Sequence, residues 1–301
     1  MTDTALSHGP AFERRRGEGL TATALLAPAT IFVALCLLAP LFILFRYSLN
    51  EFIPTKKMMI EAVTVANYVK FFTDPYYTTI LATTVRVSVT VTLVCLILGF
   101  PLAYVVARTQ SRFKNLLIIL TVLPLFVGNA VRAAGWMTIF GSKGFVNTTL
   151  QWLGLIDKPL EIMFTEKAVI IGIIAVNLPF MVLTLQSVIE GIDRAVEEAA
   201  FSLGAPPFTM FRRVLWPLAL PGIVAGTILT FILAMNAYAT PFLLGGPLFK
   251  MMAPLVYNQF TQQSNWPFGG AIAFILMTVT LGLTVAANLI FQRRAGSDLG
   301  R

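Results

Sequence analysis

A short polar segment decides how this chain folds. It reads Glu198-Ala199-Ala200-Phe201-Ser202-Leu203-Gly204 and lies between two hydrophobic runs, roughly 168–189 and 217–242. Each run is long enough to cross a bilayer, because about 20 apolar residues in a helix span the hydrocarbon core. The polar segment therefore lies in water, directly against a membrane surface. A helix in that position is placed to contact something on the aqueous side.

The composition indicates a membrane protein with several spans. Of the 301 residues, 57% are hydrophobic and 12% are charged, and the mean hydropathy is +0.79, whereas a soluble domain has about 25% charged residues. We expect an all-α bundle of six transmembrane helices, because helices satisfy their backbone hydrogen bonds inside lipid. The six runs are roughly 22–45, 80–107, 116–140, 168–189, 217–242 and 269–291. Residues 1–21 and 292–301 are then terminal tails on either side of a membrane domain, 22–291.

Several function classes are disfavoured by what the sequence lacks. His8 is the one histidine, and Cys36 and Cys95 lie in apolar runs as small hydrophobes, so we expect neither a metal site nor catalytic residues. No G-x-x-x-x-G-K-[ST] motif is present to bind ATP phosphates. No Asp or Glu lies in any of the six runs, which argues against an ion-coupled secondary transporter and a membrane-embedded enzyme. The net charge of +8 is explained by anchoring of the spans, without nucleic acid.

Basic residues predict the orientation of the spans. Lys and Arg concentrate in cytoplasmic loops of membrane proteins, and here they are denser on one side than on the other. The denser set is Arg14, Arg15, Arg16, Arg108, Arg112, Lys114, Arg194, Arg212, Arg213, Arg293, Arg294 and Arg301. Both termini and the 198–204 segment are therefore expected to be cytoplasmic.

The loop between the fourth and fifth runs predicts a helix over 193–205. Asp193 is a suitable N-cap, and Gly204 is a suitable residue just past the C-terminal end. Its apolar residues share one face at i, i+3, i+4 and i+7 spacing; they are Val196, Ala199, Ala200 and Leu203. Taken alone, this pattern is compatible with a helix that merely links two spans and with one that contacts a partner.

The same loop resembles a known motif. Glu198-Ala199-Ala200, Gly204, Val214 and Pro217 are similar to the EAA loop of permease subunits of ATP-binding-cassette (ABC) importers, EAA-x3-G-x9-I-x-L-P. Val214 and Trp216 depart from its Ile and Leu. The resemblance implies a type I importer permease whose coupling loop, 190–216, contacts a separate ATPase. The residues that it assigns to this contact are Arg194, Glu197, Glu198, Ala199, Ala200, Ser202, Leu203 and Gly204.

The resemblance extends to the first permease of the spermidine/putrescine-type importers over roughly 22–291. It is carried by Gly99–Tyr104, Leu123–Leu125, Val131–Trp136, Asn177–Met181, Pro241–Pro247 and Asn265–Gly269. It implies a multi-pass protein of the bacterial inner membrane that binds no cofactor itself, with ATP and Mg on the partner ATPase. The implied partners are a second, different permease, two ATPase subunits, a periplasmic or extracellular solute-binding protein and membrane lipid. The implied substrate is a small charged organic solute, with the polyamine class favoured and an anionic or zwitterionic solute (opine, amino-acid-like or phosphonate) as the alternative.

Polar residues at membrane depth are the candidates for a substrate pathway. They are Arg86, Asn129, Arg132, Asn177, Asn236 and Tyr238. Arginines at the ends of spans also extend their side chains to the membrane surface, and amides in spans also pack helices together, so both interpretations stay open. Two arginines without an intramembrane counter-charge favour an anionic substrate, whereas the resemblance favours a polyamine.

Two further patterns concern the outer loops and the spans. Thr64–Thr73 predicts a short amphipathic helix, and the aromatic residues of the outer loops are explained either by an interfacial belt or by docking of an external partner. Pro101, Pro124 and Pro179 predict kinks in the second, third and fourth spans.

Overall fold

The computed structural model describes residues 14–53, 58–110, 113–247 and 249–298, with side chains described between 25 and 291. These residues form the predicted all-α bundle and one short antiparallel hairpin of β1 (Glu51–Ile53) and β2 (Met58–Ile60). The helices are α1 (Arg14–Ser48), α2 (Ala66–Thr73), α3 (Pro75–Arg108), α4 (Lys114–Val122), α5 (Asn129–Phe140), α6 (Phe145–Trp152), α7 (Glu166–Glu190), α8 (Arg194–Ser202), α9 (Pro207–Met210), α10 (Trp216–Leu218), α11 (Leu220–Met235), α12 (Ala239–Leu244), α13 (Met252–Thr261) and α14 (Trp266–Asp298). Arg112, Arg301 and tail residues 1–13 and 299–300 lie outside the described residues.

Four single helices are long and apolar enough to cross a membrane. Their spanning segments are Leu25–Ser48, Pro75–Arg108, Glu166–Glu190 and Trp266–Phe291. Two bent helix pairs also pass the same test of length and composition: Lys114–Phe126 with Asn129–Trp152, bent by 97°, and Pro207–Leu218 with Leu220–Met235, bent by 70°. The described residues thus contain four spans, or up to six if each bent pair counts as one.

The third and fifth runs are not the continuous helices that the sequence predicted. After α4, a 3₁₀ helix, Leu123–Phe126, carries Pro124, and Gly128 then precedes α5. Proline lacks the N–H that an α-helix needs and its ring collides with the carbonyl of the preceding turn, which explains the break at this point. In the fifth run, α11 ends at Met235 and α12 begins only at Ala239. By contrast, α3 and α7 continue without a break through Pro101 and Pro179.

The first and last helices extend into the predicted tails. Helix α1 already begins at Arg14 and α14 ends at Asp298, so parts of 1–21 and 292–301 are helical. Arg, Glu and Gln are good helix formers. A run of charge therefore ends the hydrophobic stretch without ending the helix.

The core lies where α3, α7 and α11 pack together. The close approach depends on glycine: a Cβ on Gly99 would lie 2.8 Å from Met181 Cγ, and one on Gly226 would lie 2.8 Å from Met181 Sδ. Small residues allow helix backbones to approach each other in a membrane, where packing drives association. A second cluster joins α2, α13 and α14 through Phe71, Met252 and Phe268, and α2 is the amphipathic helix predicted over Thr64–Thr73.

Candidate functional site

Helix α8 is bounded by the residues that the sequence indicated. The Asp193 side chain accepts a hydrogen bond from the backbone N–H of Ala195 at 3.0 Å, which caps the N-terminal end. At the other end Gly204 adopts φ +78°, and the N–H groups of Gly204 and Ala205 donate to the carbonyls of Phe201 and Ala200. These two bonds form a Schellman motif, in which a left-handed glycine ends the helix. Local sequence therefore fixes both ends of α8.

One face of α8 is turned into the molecule. Glu197 is only 6% exposed and forms an ion pair with Arg108, whose Nη2 and Nε both donate to its Oε1. The Tyr104 hydroxyl donates to Glu197 Oε2 at 2.9 Å. Arg194 is half-buried and donates to the carbonyl of Arg108. Glu197 and Arg194, both assigned from sequence to the partner contact, thus bind the end of α3.

The opposite face of α8 is apolar and open. Leu203 is 89% exposed and Phe208, just beyond the helix, is 72% exposed. The other exposed members of the predicted contact set are Glu198, Ala199, Ser202 and Gly204, whereas Ala200 is half-buried against the core. The shared apolar face read from the sequence is therefore largely uncovered by the rest of the chain. Contiguous apolar exposure next to polar side chains is typical of an interaction surface.

A cavity of about 620 Å³ lies where the third and fifth runs are broken. Its wall includes five of the six predicted pathway residues: Asn129, Arg132, Asn177, Asn236 and Tyr238. Asn236 directly follows α11, and Tyr238 directly precedes α12. Both therefore lie at a chain break, whereas the sequence had predicted them to lie within a continuous fifth span. The breaks give the cavity polar side chains from three parts of the chain: the start of α5, the middle of α7 and the α11–α12 junction.

Arg132 is the charged member of this wall. Its Nη2 donates to the carbonyl of Val127 at 2.9 Å and to Asn129 Oδ1 at 3.2 Å. Its Nε and Nη1 are buried and have no hydrogen-bond partner among the described residues. No Asp or Glu is found among the described residues that line the cavity. Arg132 thus lines the cavity while two of its donors lack a partner.

The amide and aromatic members of the wall have different environments. Asn177 is buried and donates to the carbonyl of Thr230 at 3.3 Å, which joins α7 to α11. Asn236 donates back to Ile232 of its own helix. Tyr238 contacts Phe242 and Tyr257, with a centroid distance of 4.7 Å to Tyr257. Asn177 thus packs helices while lining the cavity, and Tyr238 adds an aromatic surface beside it.

Comparisons with known proteins place this arrangement in a family. Residues 62–295 match the family described as binding-protein-dependent transport system inner membrane component. The chain belongs to that family. Similar proteins include the spermidine/putrescine transport system permease PotB of Haemophilus influenzae, 35% identical over 77% of this chain and 82% of the relative. PotB of Escherichia coli K12 is 38% identical over 73% of this chain and 79% of the relative.

Solved structures agree on the fold. A crystal structure of a bacterial alginate ABC transporter with an alginate-bound periplasmic protein matches 95% of this chain and 99% of that chain, with a TM-score of 0.76 and 18% identity. The predicted resemblance to permeases of the spermidine/putrescine type is thus confirmed, as is the type I fold. The chain is a multi-pass inner-membrane permease and not itself an enzyme, since the ATPase of such importers is a separate subunit.

Arg86 does not lie with the other predicted pathway residues of the permease. Its Nη2 is 2.6 Å from Glu166 Oε2, and its side chain is 63% exposed. From the sequence, Arg86 was expected to have no counter-charge within the membrane. In the structure this counter-charge is Glu166, the first residue of α7, and the role of Arg86 in a substrate pathway stays a prediction.

The permease also has a second cavity that the sequence did not predict, which we call the outer-loop cavity because it lies among loops that the sequence predicts to be outside. It has a volume of about 450 Å³ and is lined by Tyr76, Phe242, Phe249, Lys250 and Gln259, among others. Lys250 Nζ donates to the Tyr76 hydroxyl at 3.2 Å. The signal that was available was the aromatic enrichment of these loops. Their folding around one cavity depends on contacts between residues far apart in the sequence.

Proposed function

We propose that this permease forms half of the membrane pathway of an ATP-driven importer, together with a second, different permease. Two ATPase subunits hold the ATP and Mg, and an external solute-binding protein delivers the substrate. The observation that carries the proposal is the exposed apolar face of α8, in a chain whose family depends on binding proteins. The chain lacks a phosphate-binding loop, so energy must reach it through contact with another subunit.

The proposed ATPase contact consists of the exposed part of the α8 region. Glu198, Ala199, Ser202, Leu203 and Gly204 are all exposed. Alanine and glycine allow close approach of a partner surface, while Leu203 adds an apolar side chain that is 89% exposed. Burial of such a side chain in a partner groove contributes about 1.5–3 kcal/mol. The helix would therefore bind a groove on the ATPase by its apolar side.

The proposed substrate is a polyamine of the spermidine/putrescine class. The support is the 35–38% identity to relatives that carry that name. Within the cavity, Tyr238 offers an aromatic face for cation–π contact, and the amide oxygens of Asn129, Asn177 and Asn236 are acceptors for ammonium groups. The carboxylates that a polyamine usually requires would come from the partner permease.

An anionic or zwitterionic solute is the second candidate. The observation that favours it is Arg132, whose Nε and Nη1 are buried without partners beside the cavity. A carboxylate or phosphonate in the cavity would supply an acceptor that this guanidinium lacks, since arginine binds such groups through its N–H donors. A cation at the same place would be repelled.

The outer-loop cavity is our proposed point of contact for the binding protein. It combines aromatic side chains with Lys250 at the end of the molecule opposite to α8, where the loops that follow α12 and α13 meet the start of α3. Aromatic residues are enriched in interfaces. Lys250 would select an acidic group on the docking protein.

Uptake by the reconstituted complex tests the proposal. Proteoliposomes would contain the permease, its partner permease, the two ATPases and the binding protein, with labelled spermidine outside. We expect uptake only with hydrolysable ATP and only when both permeases are present. Uptake without ATP, or without the second permease, would contradict the importer. ATP-dependent uptake of an anionic solute but not of spermidine or putrescine would overturn the substrate assignment and support the alternative.

A further inference from the structure

A buried ion pair fastens the α8 segment to the end of α3. The structure has three ion pairs among its described residues. Arg86–Glu166 and Lys114–Glu190 keep about a third or more of each side chain exposed, whereas Arg108 and Glu197 keep 13% and 8%. A buried pair is little screened by water and salt. Arg108–Glu197 is therefore the strong electrostatic link of this set.

Both oxygens of Glu197 are held by residues of α3. Arg108 donates to Oε1 from Nε at 2.8 Å and also from Nη2, while Tyr104 donates to Oε2 at 2.9 Å. Tyr104 and Arg108 are four residues apart, which places them on the same face of α3. The carboxylate is thus fixed in position and in orientation.

Two further hydrogen bonds connect the segments, each from an arginine side chain of one segment to a backbone carbonyl of the other. The remaining Arg108 nitrogen, Nη1, donates to the carbonyl of Ile192 at 3.0 Å, just before α8. Arg194 Nη2 donates to the carbonyl of Arg108 at 2.9 Å. The last carbonyls of a helix have no partner within it, so Arg194 satisfies a group that α3 itself leaves open. Five hydrogen bonds join the last turns of α3 to 192–197.

Separation of these groups is strongly disfavoured. A buried charge that loses its partner is left uncompensated, and the guanidinium of Arg108 would lose three bonds together. Rotation of α8 about its own axis would break the same contacts. The end of α3 and α8 are therefore expected to move together when either is displaced.

We propose that Arg108 and Glu197 are positioning residues that make α8 and the end of α3 one rigid unit. The inference rests on the proposed function, in which an ATPase binds the exposed face of α8. A displacement of α8 then moves α3 directly. Helix α3 packs on α7, which carries Asn177, and on α11, which ends just before Asn236; both residues line the 620 Å³ cavity. Glu197 thus acts through α3, while its neighbour Glu198 faces the partner.

The first test is the ratio of uptake to ATP hydrolysis in the reconstituted complex. For Glu197→Gln we expect uptake to fall at least about tenfold while hydrolysis continues, because the carboxylate that holds Arg108 has lost its charge. Glu161→Gln is the control, since it removes the charge of an exposed carboxylate outside the coupling loop and should leave uptake near that of the wild type. Normal uptake by Glu197→Gln would overturn the proposal, as would an equal loss of uptake and hydrolysis.

A distance measurement keeps the proposal testable if Glu197→Gln does not assemble. Spin labels on Val105→Cys in α3 and Ala195→Cys in α8, both at exposed positions, would be placed in a complex in which Cys36 and Cys95 are replaced. We expect the same label-to-label distance with and without ATP. A distance that changes between the two states would overturn the rigid unit. Failure of the proposed function would look different, since the wild-type complex would then show no ATP-driven uptake.

Discussion

At the scale of single residues, two adjacent glutamates of α8 have opposite environments. Glu197 is buried in the ion pair with Arg108, whereas Glu198 is exposed and has no ion pair among the described residues. Neighbours on an α-helix point about 100° apart, because the helix has 3.6 residues per turn. One therefore stabilises the permease itself and the other is available to a partner.

Charge reversal at Glu198 tests that difference. We expect Glu198→Lys to leave the permease inserted in the membrane and to weaken its binding to the ATPase at least about tenfold, because an exposed side chain does not support the fold but would face the partner. Co-purification with the ATPase and uptake measure the effect. Glu161→Lys, the same change at an exposed position of an outer loop, is the control. Normal co-purification and uptake in Glu198→Lys would refute the contact.

At the scale of the elements, the crossing of α7 and α11 depends on Gly222. A Cβ on Gly222 would lie 2.9 Å from Val188 Cβ and 3.0 Å from Val188 Cγ2. Valine is branched at Cβ and has one preferred rotamer in a helix, so it cannot move aside. Any side chain at residue 222 would push the two helices apart.

Gly222→Ala is therefore expected to destabilise the permease by about 1–3 kcal/mol, the usual effect of overpacking. Thermal unfolding in detergent measures the change. Gly282→Ala in α14 is the matched control, because a Cβ there meets nothing within 4 Å. We expect that control to unfold at or above the wild-type temperature, since alanine favours the helix. Equal unfolding temperatures for both variants would contradict the close contact.

The elements differ in how far the sequence could predict them. The ends of α8 were predictable, because Asp193 and Gly204 act on their immediate neighbours. The break of the third span was indicated only as a kink at Pro124. The break near Asn236 was not located, since a hydrophobic run keeps its hydropathy across a break of a few residues. Five cavity residues were found because polar side chains are rare in spans. The Arg108–Glu197 pair was missed because the two residues are 89 positions apart.

At the scale of the whole molecule, α8 and several basic side chains lie together at one end of the part of the chain that the structure describes. Among them, Arg108 pairs with Glu197 and Lys114 pairs with Glu190. Arg194 donates a hydrogen bond to the carbonyl of Arg108 at the end of α3. The other end has α2, α6, α13 and the outer-loop cavity. Because positive loops stay in the cytoplasm, we propose that α8 lies on the cytoplasmic side, with α6 on the outside.

Chemical labelling of whole cells tests this orientation. Leu203→Cys beside α8 and Trp152→Cys at the end of α6 would each be made in a chain that lacks Cys36 and Cys95, and expressed without the ATPase. The two positions are 89% and 83% exposed, so accessibility within the protein does not distinguish them. A maleimide that cannot cross the inner membrane should label Trp152→Cys alone in intact spheroplasts, and both variants after permeabilisation. Labelling of Leu203→Cys in intact spheroplasts would reverse the orientation and remove α8 from any contact with a cytoplasmic ATPase.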